Sequence, residues 1–180
     1  ELMDGVGIVG TNTWSVFNAR KKLKVSWDES QASKASWSEF KNFADEAARE
    51  ESEDKINVGD INSVLSDPQN TVLESFYEYP YVSHLCLEPM NCTADYRKGE
   101  NGNPDHLEIW LPTQNGPRFQ KFAKDFYGLE QDQLTIHIKR MGGSFGRRNT
   151  NDYVSEAIEL SKRSGRPVKL TWSREDSMRG

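Results

Sequence analysis

The residues with the most chemical promise are MGGSFGRR at 141–148, where Gly142, Gly143 and Gly146 fall in a predicted turn between a strand and a helix. A turn with so few side chains lets a ligand come close to the backbone amides. Several kinds of site use such loops. A Walker-type phosphate loop needs Lys followed by Ser or Thr after its last glycine, whereas Arg147 and Arg148 stand there. The dinucleotide fingerprint GxGxxG is not matched, and this loop comes late rather than in a first strand–helix turn. Residues 142–146 do match GxSxG, which in a nucleophile elbow would make Ser144 the attacking group of a serine hydrolase. That chemistry is disfavoured because His84, His106 and His137 all precede Ser144, while an elbow's acid and histidine follow it. The polar run 147–151 also delays the helix that an elbow starts at its serine. Taken alone, the loop is first of all a tight turn between packed elements.

The flanking elements are sharply patterned. Leu107, Ile109 and Leu111 alternate over 106–111, and Leu134, Ile136 and Ile138 repeat the period in QLTIHIKR, so both segments are predicted strands. Between them Pro117 suits a first helical residue, Phe119, Phe122, Ala123 and Phe126 line one face, and Gly128 suits the stop. After the glycine loop a helix near 152–164 uses Val154, Ala157 and Ile158 and closes at Gly165, and PVKLTW follows as a strand. Strand, helix, strand, glycine loop, helix, strand make two crossover units, which predicts an α+β fold of mixed α/β layers. Glu88 and Glu108 are the tempting carboxylates. Glu108 faces away from the Leu107, Ile109, Leu111 stripe and Glu88 lies in a segment of structural character, so neither is assigned a catalytic role.

Upstream, residues 5–27 are expected to form strand, helix and strand: GVGIVG, a helix over 13–24, then KVSW. Ser36 with Glu39 makes a capping-box pattern for a helix from 37 to about 50. Its end runs into Glu50, Glu51, Glu53 and Asp54, a solvated acidic run and linker. From Thr71 the residues favour an extended segment that Pro80 interrupts. The Gly, Asn and Pro density of RKGENGNPD, at the end of 82–105, marks a loop or hairpin turn.

Bulk properties narrow the partners. With 28 acidic and 23 basic residues, a net charge of −5 gives no electrostatic reason to expect nucleic acid or an anionic membrane. No run approaches the roughly 18 apolar residues of a spanning helix. Cys86 and Cys92 match neither redox CxxC nor zinc-knuckle spacing and are expected to be small buried residues. The chain starts Glu1-Leu2-Met3, with no initiator methionine and no signal peptide, and is expected to be cut from something longer. That leaves cytoplasmic and periplasmic locations equally open.

Four segments in order, EPMNCTA at 88–94, LPTQN at 111–115, KRMGGSFGRR at 139–148 and PVKLTWSRED at 167–176, resemble the large subunits of xanthine dehydrogenase/aldehyde oxidase-family molybdenum hydroxylases. TNTWSVFNARKKLKVSWDE at 11–29 extends the resemblance to the isoquinoline 1-oxidoreductase beta group, so that it covers nearly the whole chain. The resemblance implies that 1–27 close a small N-terminal domain, 28–70 form a helical, acidic linker, and 71–180 begin the first molybdenum-cofactor-binding domain. It implies a molybdopterin cofactor, commonly the cytosine dinucleotide form, held by Gln114, Gly142, Gly143, Ser144, Phe145, Gly146 and Arg147. Gln114 would hydrogen-bond an oxygen on molybdenum without ligating the metal. Phe145 would wall the substrate pocket, where a flat ring orients a flat heterocycle.

The family pattern implies an oxidoreductase that adds a water-derived oxygen to an N-heterocyclic aromatic or an aldehyde. Its general-base glutamate is expected beyond Gly180, so the fragment itself is expected to be inactive, with electrons leaving through an iron–sulfur small subunit. The remainder of its own chain and a small-molecule substrate complete the expected partners. Two departures stand out. Ser144 replaces the third glycine of the usual MGGGFG, and Arg148 and Asn149 stand where xanthine-specific members carry lysine and a purine-binding glutamate, which disfavours purines. A cofactor-free binding or assembly module on the same scaffold is the alternative.

Overall fold

A computed structural model describes residues 5–53, 55, 56 and 58–179. The Glu1-Leu2-Met3 start and Asp54 of the acidic run lie outside the described residues. In chain order the elements are α1 (Thr13–Lys22), α2 (Trp37–Ala47), α3 (Ile61–Ser66), β1 (Asn91–Arg97), β2 (His106–Leu111), α4 (Gly116–Tyr127), β3 (Leu134–Ile138), α5 (Asp152–Ser164), β4 (Val168–Thr171) and α6 (Arg174–Arg179). The chain divides into two compact units, Glu1–Val25 with Ser83–Gly180, and Ser26–Val82.

In the larger unit a four-stranded sheet has the order β3-β2-β1-β4. β2 runs parallel to β3, and β1 lies antiparallel to both β2 and β4, so β2, β3 and β4 share one direction. Both crossovers therefore join parallel strands through a helix, as the sequence predicts, and the expected α+β fold of mixed layers is borne out. Asn115 caps α4, Pro117 occupies its first turn, and Gly128 ends it in the left-handed region at φ +66°. Gly165 ends α5 in the same way at φ +63°.

One face of the sheet carries Ala94, Leu107, Ile109 and Leu111, all fully buried with Phe119 and Ala123 of α4 and Val154, Ala157 and Ile158 of α5. Apolar burial of this kind is the main stabilising term, and cutting Leu107, Ile109, Leu111, Phe119 or Ile158 back to Ala costs about 2–5 kcal/mol. The opposite face is polar. There Glu108 accepts from His137 at 2.9 Å and from Arg97 at 3.1 Å, and His137 stacks on Trp110 with centroids 4.9 Å apart. The bond to His137, aided by Arg97, holds the Glu108 carboxyl below its ordinary range. Cys86 and Cys92 are buried free thiols, and burial pushes the Cys92 thiol up.

Several local expectations are corrected. Among the described residues the strands expected at 5–10 and 24–27 are absent, apart from a single bridge residue at Gly5, and α1 stops at Lys22. Val6, Val9 and Val25 stay exposed, with no neighbouring strand among the described residues to complete a ladder. β1 is not apparent in the sequence, because its buried residues Cys92, Ala94 and Tyr96 give only a weak apolar alternation. The short α6 also escaped, although Ser173 and Asp176 cap it reciprocally at 2.9 and 3.3 Å, an S-x-x-D signal present in the sequence.

In the smaller unit, the capping box at α2 is present: Glu39 N–H donates to Ser36 Oγ at 3.3 Å and Ser36 N–H donates to Glu39 Oε2 at 3.1 Å. α2 stops at Ala47, three residues short of the expected end, where the polar run begins. Asp60 caps the unforeseen α3 through Ser63 N–H at 3.0 Å. Trp37 and Phe40 meet Tyr81 at 5.2 and 5.1 Å. The extended segment from Thr71 pairs with no strand among the described residues, and Pro80 cannot donate to a ladder. No helix among the described residues is long and apolar enough to cross a membrane.

Candidate cofactor site at the ends of the parallel strands

The residues singled out in the sequence lie just beyond the carboxyl ends of the two neighbouring parallel strands. Here the segment leaving β2 contains Gln114 and the segment leaving its neighbour β3 is the glycine loop. Lys139 N–H donates to Leu111 C=O at 3.1 Å, keeping the two chains adjacent as they leave the sheet. Arg148 C=O then accepts from Gln114 N–H at 3.2 Å and from the Thr113 hydroxyl at 3.2 Å. Gln114 and the loop that contains Phe145 are therefore joined at one end of the sheet. The Gln114 side chain is exposed, and its carboxamide takes no hydrogen bond among the described residues.

The loop has an unusual backbone. Gly143 and Gly146 sit at φ +100° and +91°, and Phe145, which is not a glycine, sits at +51°. Left-handed backbone costs a non-glycine residue about 1–2 kcal/mol, so such positions persist where the surroundings or a function require them. Phe145 is 74% exposed, so burial recovers only part of that cost. Its ring lies against Gly143, where an added Cβ would meet Phe145 Cε2 at 3.4 Å.

The loop is clamped from the segment before β1. Glu88 N–H donates to Gly142 C=O at 3.1 Å, and Glu88 Oε2 accepts from Gly142 N–H at 2.7 Å. A Cβ on Gly142 would stand 2.7 Å from Glu88 Cβ, so this glycine is required by close approach. The Cys86 thiol donates to Ser144 C=O at 3.2 Å, while Arg174 donates to Cys86 C=O and Leu87 C=O, both at 2.6 Å. Arg148 is fully buried and donates from Nε to Gly143 C=O and from Nη2 to Glu88 C=O and Oε2, each at 3.0 Å.

Arg147 turns elsewhere. Its guanidinium pairs with Asp152 at 2.6 Å, bonds Thr150 and lies 5.1 Å from the Trp172 ring centroid. Burial opposes ionisation of Asp152, yet the bonds from Arg147 and from Tyr153 N–H keep its carboxyl below the ordinary range. Arg147 thus anchors the loop to the start of α5, with only Nε unpartnered. Ser144 is buried and its hydroxyl bonds no histidine or any other group among the described residues, while α5 begins only at Asp152. A nucleophile elbow exposes an activated serine right at its helix start, so this geometry does not make one.

Three polar atoms of the loop region, Ser144 Oγ, Arg147 Nε and Arg148 Nη1, are buried without a hydrogen-bond partner among the described residues. Orphaned buried polar atoms are costly in a finished fold. Beside exposed amide and aromatic groups, they suit a polar heterocyclic cofactor with several oxygens and nitrogens. The sequence missed Glu88 and Arg148 as members of this site. The signal for Glu88 is EPMNCTA itself, and in the sequence Arg148 stands out only as a departure from lysine.

Comparison with known proteins gives the class first: residues 43–180 match the molybdopterin cofactor-binding domain family, and the chain belongs to that family. It is similar to xanthine dehydrogenase/oxidase of Rattus norvegicus, with 35% identity over 71% of this chain and 9% of that protein. The beta chain of isoquinoline 1-oxidoreductase from Brevundimonas diminuta matches at 29% identity over 99% of this chain and 23% of its own length. A nicotinate dehydrogenase polypeptide of Pseudomonas putida matches at 27% over 97% and 14%. The resemblance seen in the motifs is borne out, and the chain spans less than a quarter of each of these relatives.

Proposed function

We propose that this chain is a segment of the molybdopterin-binding catalytic subunit of a molybdenum hydroxylase that oxidises an N-heterocyclic aromatic or aldehyde substrate with water as the oxygen source. The observation that carries the proposal is the joining of Gln114 and the glycine loop at the carboxyl ends of β2 and β3 through the Arg148 carbonyl. In this reading 1–27 close a small N-terminal domain, 28–70 link it, and 71–180 open the first cofactor-binding domain.

Gln114 would offer its free carboxamide to an oxygen of the cofactor, and Gly142, Gly143 and Gly146 would let the pterin lie against the backbone. The unpartnered Ser144 hydroxyl would supply a further hydrogen bond, while Arg147, turned to Asp152 and Trp172, would hold the loop on α5. Phe145, held out from the loop, would stack on a flat substrate ring and orient it. When bound, the molybdenum cofactor supplies two-electron redox chemistry that the side chains lack. The net change converts a substrate C–H and one water into C–OH, two protons and two electrons. The electrons would pass to an iron–sulfur small subunit, and a general-base glutamate would come from sequence beyond Gly180, so the segment alone would be inactive. Asn149 in place of a purine-binding glutamate, together with relatives named for isoquinoline and nicotinate, favours a non-purine heterocycle; the cytosine dinucleotide form of the cofactor is carried over from the family resemblance alone.

The test is turnover by the full-length parent in ¹⁸O-labelled water, with isoquinoline, nicotinate and an aromatic aldehyde as substrates and a dye as electron acceptor. Product carrying ¹⁸O from water is expected. Label arriving from dioxygen instead, or no turnover of any of the three by a molybdenum-loaded protein, would overturn the proposal.

A further inference from the structure

Glu88 and Arg148 lie 60 residues apart in sequence, and the function proposed above gives their side chains no role. Together they make five of the hydrogen bonds that shape the turn at Gly142 and Gly143. Glu88 grips Gly142 twice, once through its own N–H and once through Oε2. Arg148 closes the ring by donating to Gly143 C=O, Glu88 C=O and Glu88 Oε2. The Arg148 carbonyl meanwhile holds the Gln114 end of β2. One residue thus touches the glycine turn, the segment before β1 and the strand end bearing the free amide.

The chemistry suits arginine. A guanidinium offers several donors in a rigid planar fork, so a single side chain fixes three acceptors in one geometry, which an ammonium on a flexible stem does not. Full burial of Arg148 opposite a partly exposed Glu88 carboxylate makes these charge-assisted bonds, and removing either partner leaves the other's polar atoms unmatched.

We propose that Glu88 and Arg148 are positioning residues that set the glycine loop in its ligand-ready shape, in register with Gln114, before any cofactor binds. The inference rests on the cofactor reading only for the purpose of that shape. The shape itself is measured without cofactor. Binding to a preset loop avoids the ordering cost that a mobile loop would impose.

The test is amide exchange followed by NMR on the chain without cofactor, in Glu88→Ala, Glu88→Gln and Arg148→Lys. The amides to follow are those of Gly142, bonded to Glu88, and of Arg147 and Asn149, bonded to Ser144 C=O and Gly146 C=O at 2.9 and 3.1 Å. In Glu88→Ala and Arg148→Lys these amides should exchange roughly tenfold faster or more, while the amides of β2 and α5 keep the unsubstituted rates. Glu88→Gln should restore part of the protection at Gly142, since an amide oxygen still accepts its N–H. Unchanged exchange at all three amides in both Glu88→Ala and Arg148→Lys would overturn the proposal. So would acceleration spread equally through β2 and α5, which would make the pair a fixture of the core. A second arm measures molybdenum per chain in the full-length parent: Arg148→Lys should lower it, and full retention would overturn the role of the preset shape. Absence of molybdenum from the unsubstituted parent would sink the cofactor reading, while the exchange result would still decide the positioning role.

Discussion

Replacing Phe145 separates what the loop does for stability from what it does for binding. The residue is left-handed at φ +51° and 74% exposed, so about a quarter of it is covered. For a ring residue of roughly 200 Å² that is about 50 Å², worth at most about 1.2 kcal/mol. Against it stands a left-handed backbone cost of about 1–2 kcal/mol. Phe145→Ala removes the ring and keeps the backbone penalty, and is expected to lose about 1 kcal/mol. Phe145→Gly also removes the penalty, offset in part by about 0.5–1 kcal/mol of extra unfolded-state entropy. It should therefore be more stable than Phe145→Ala by about 0.5–1 kcal/mol and close to the unsubstituted chain. Urea denaturation of all three measures this. Under the proposed function, in which Phe145 stacks on the substrate, both variants should raise KM for a flat heterocycle in the full-length parent. If Phe145→Gly were less stable than Phe145→Ala, the backbone would not be under strain, and the case for a functional Phe145 would fail with it.

Other outcomes follow from the same site. Gly142→Ala forces a Cβ to 2.7 Å from Glu88 Cβ and disturbs two hydrogen bonds, so urea denaturation should show a loss of about 2–4 kcal/mol, and a change under about 0.5 kcal/mol would refute the close approach. Ser144→Ala removes a buried, unpartnered hydroxyl and should stabilise the cofactor-free chain by about 1 kcal/mol, while a comparable loss would show that the hydroxyl has a partner after all. The Asp176 carboxyl is held down to about 2 from 3.8, chiefly by the Arg20 side chain and then by Ser173. A depressed folded pKa stabilises fully above the unfolded value and is lost as pH falls through the folded one. Stability should consequently drop between about pH 4 and pH 2 more steeply in the unsubstituted chain than in Arg20→Gln, and parallel acid titrations would refute the linkage.

How far the sequence reveals this molecule depends on how local each signal is. β2, α4 and β3 are legible because a clean apolar alternation, a proline at a helix start and a glycine at its end all act within a few residues. The strands expected at 5–10 and 24–27 fail because a strand exists only with a partner, and local propensity does not supply one. β1 hides for the opposite reason. Its partners are present, but Cys92 and Ala94 are too small to announce a buried face. In the candidate site, the glycine turn is visible from its own residues, and Gln114 only through the ordered family motifs. The Glu88–Arg148 contact is invisible in both ways, since nothing local relates residues 60 positions apart.

Molybdenum and pterin content of the full-length parent, produced in a host that makes the cofactor, tests the central claim most directly. The unsubstituted protein should contain stoichiometric molybdenum, and a folded Gly142→Ala variant should contain severalfold less. A parent free of molybdenum, or a folded variant that retains all of it, would contradict the assignment of this end of the sheet as the cofactor site.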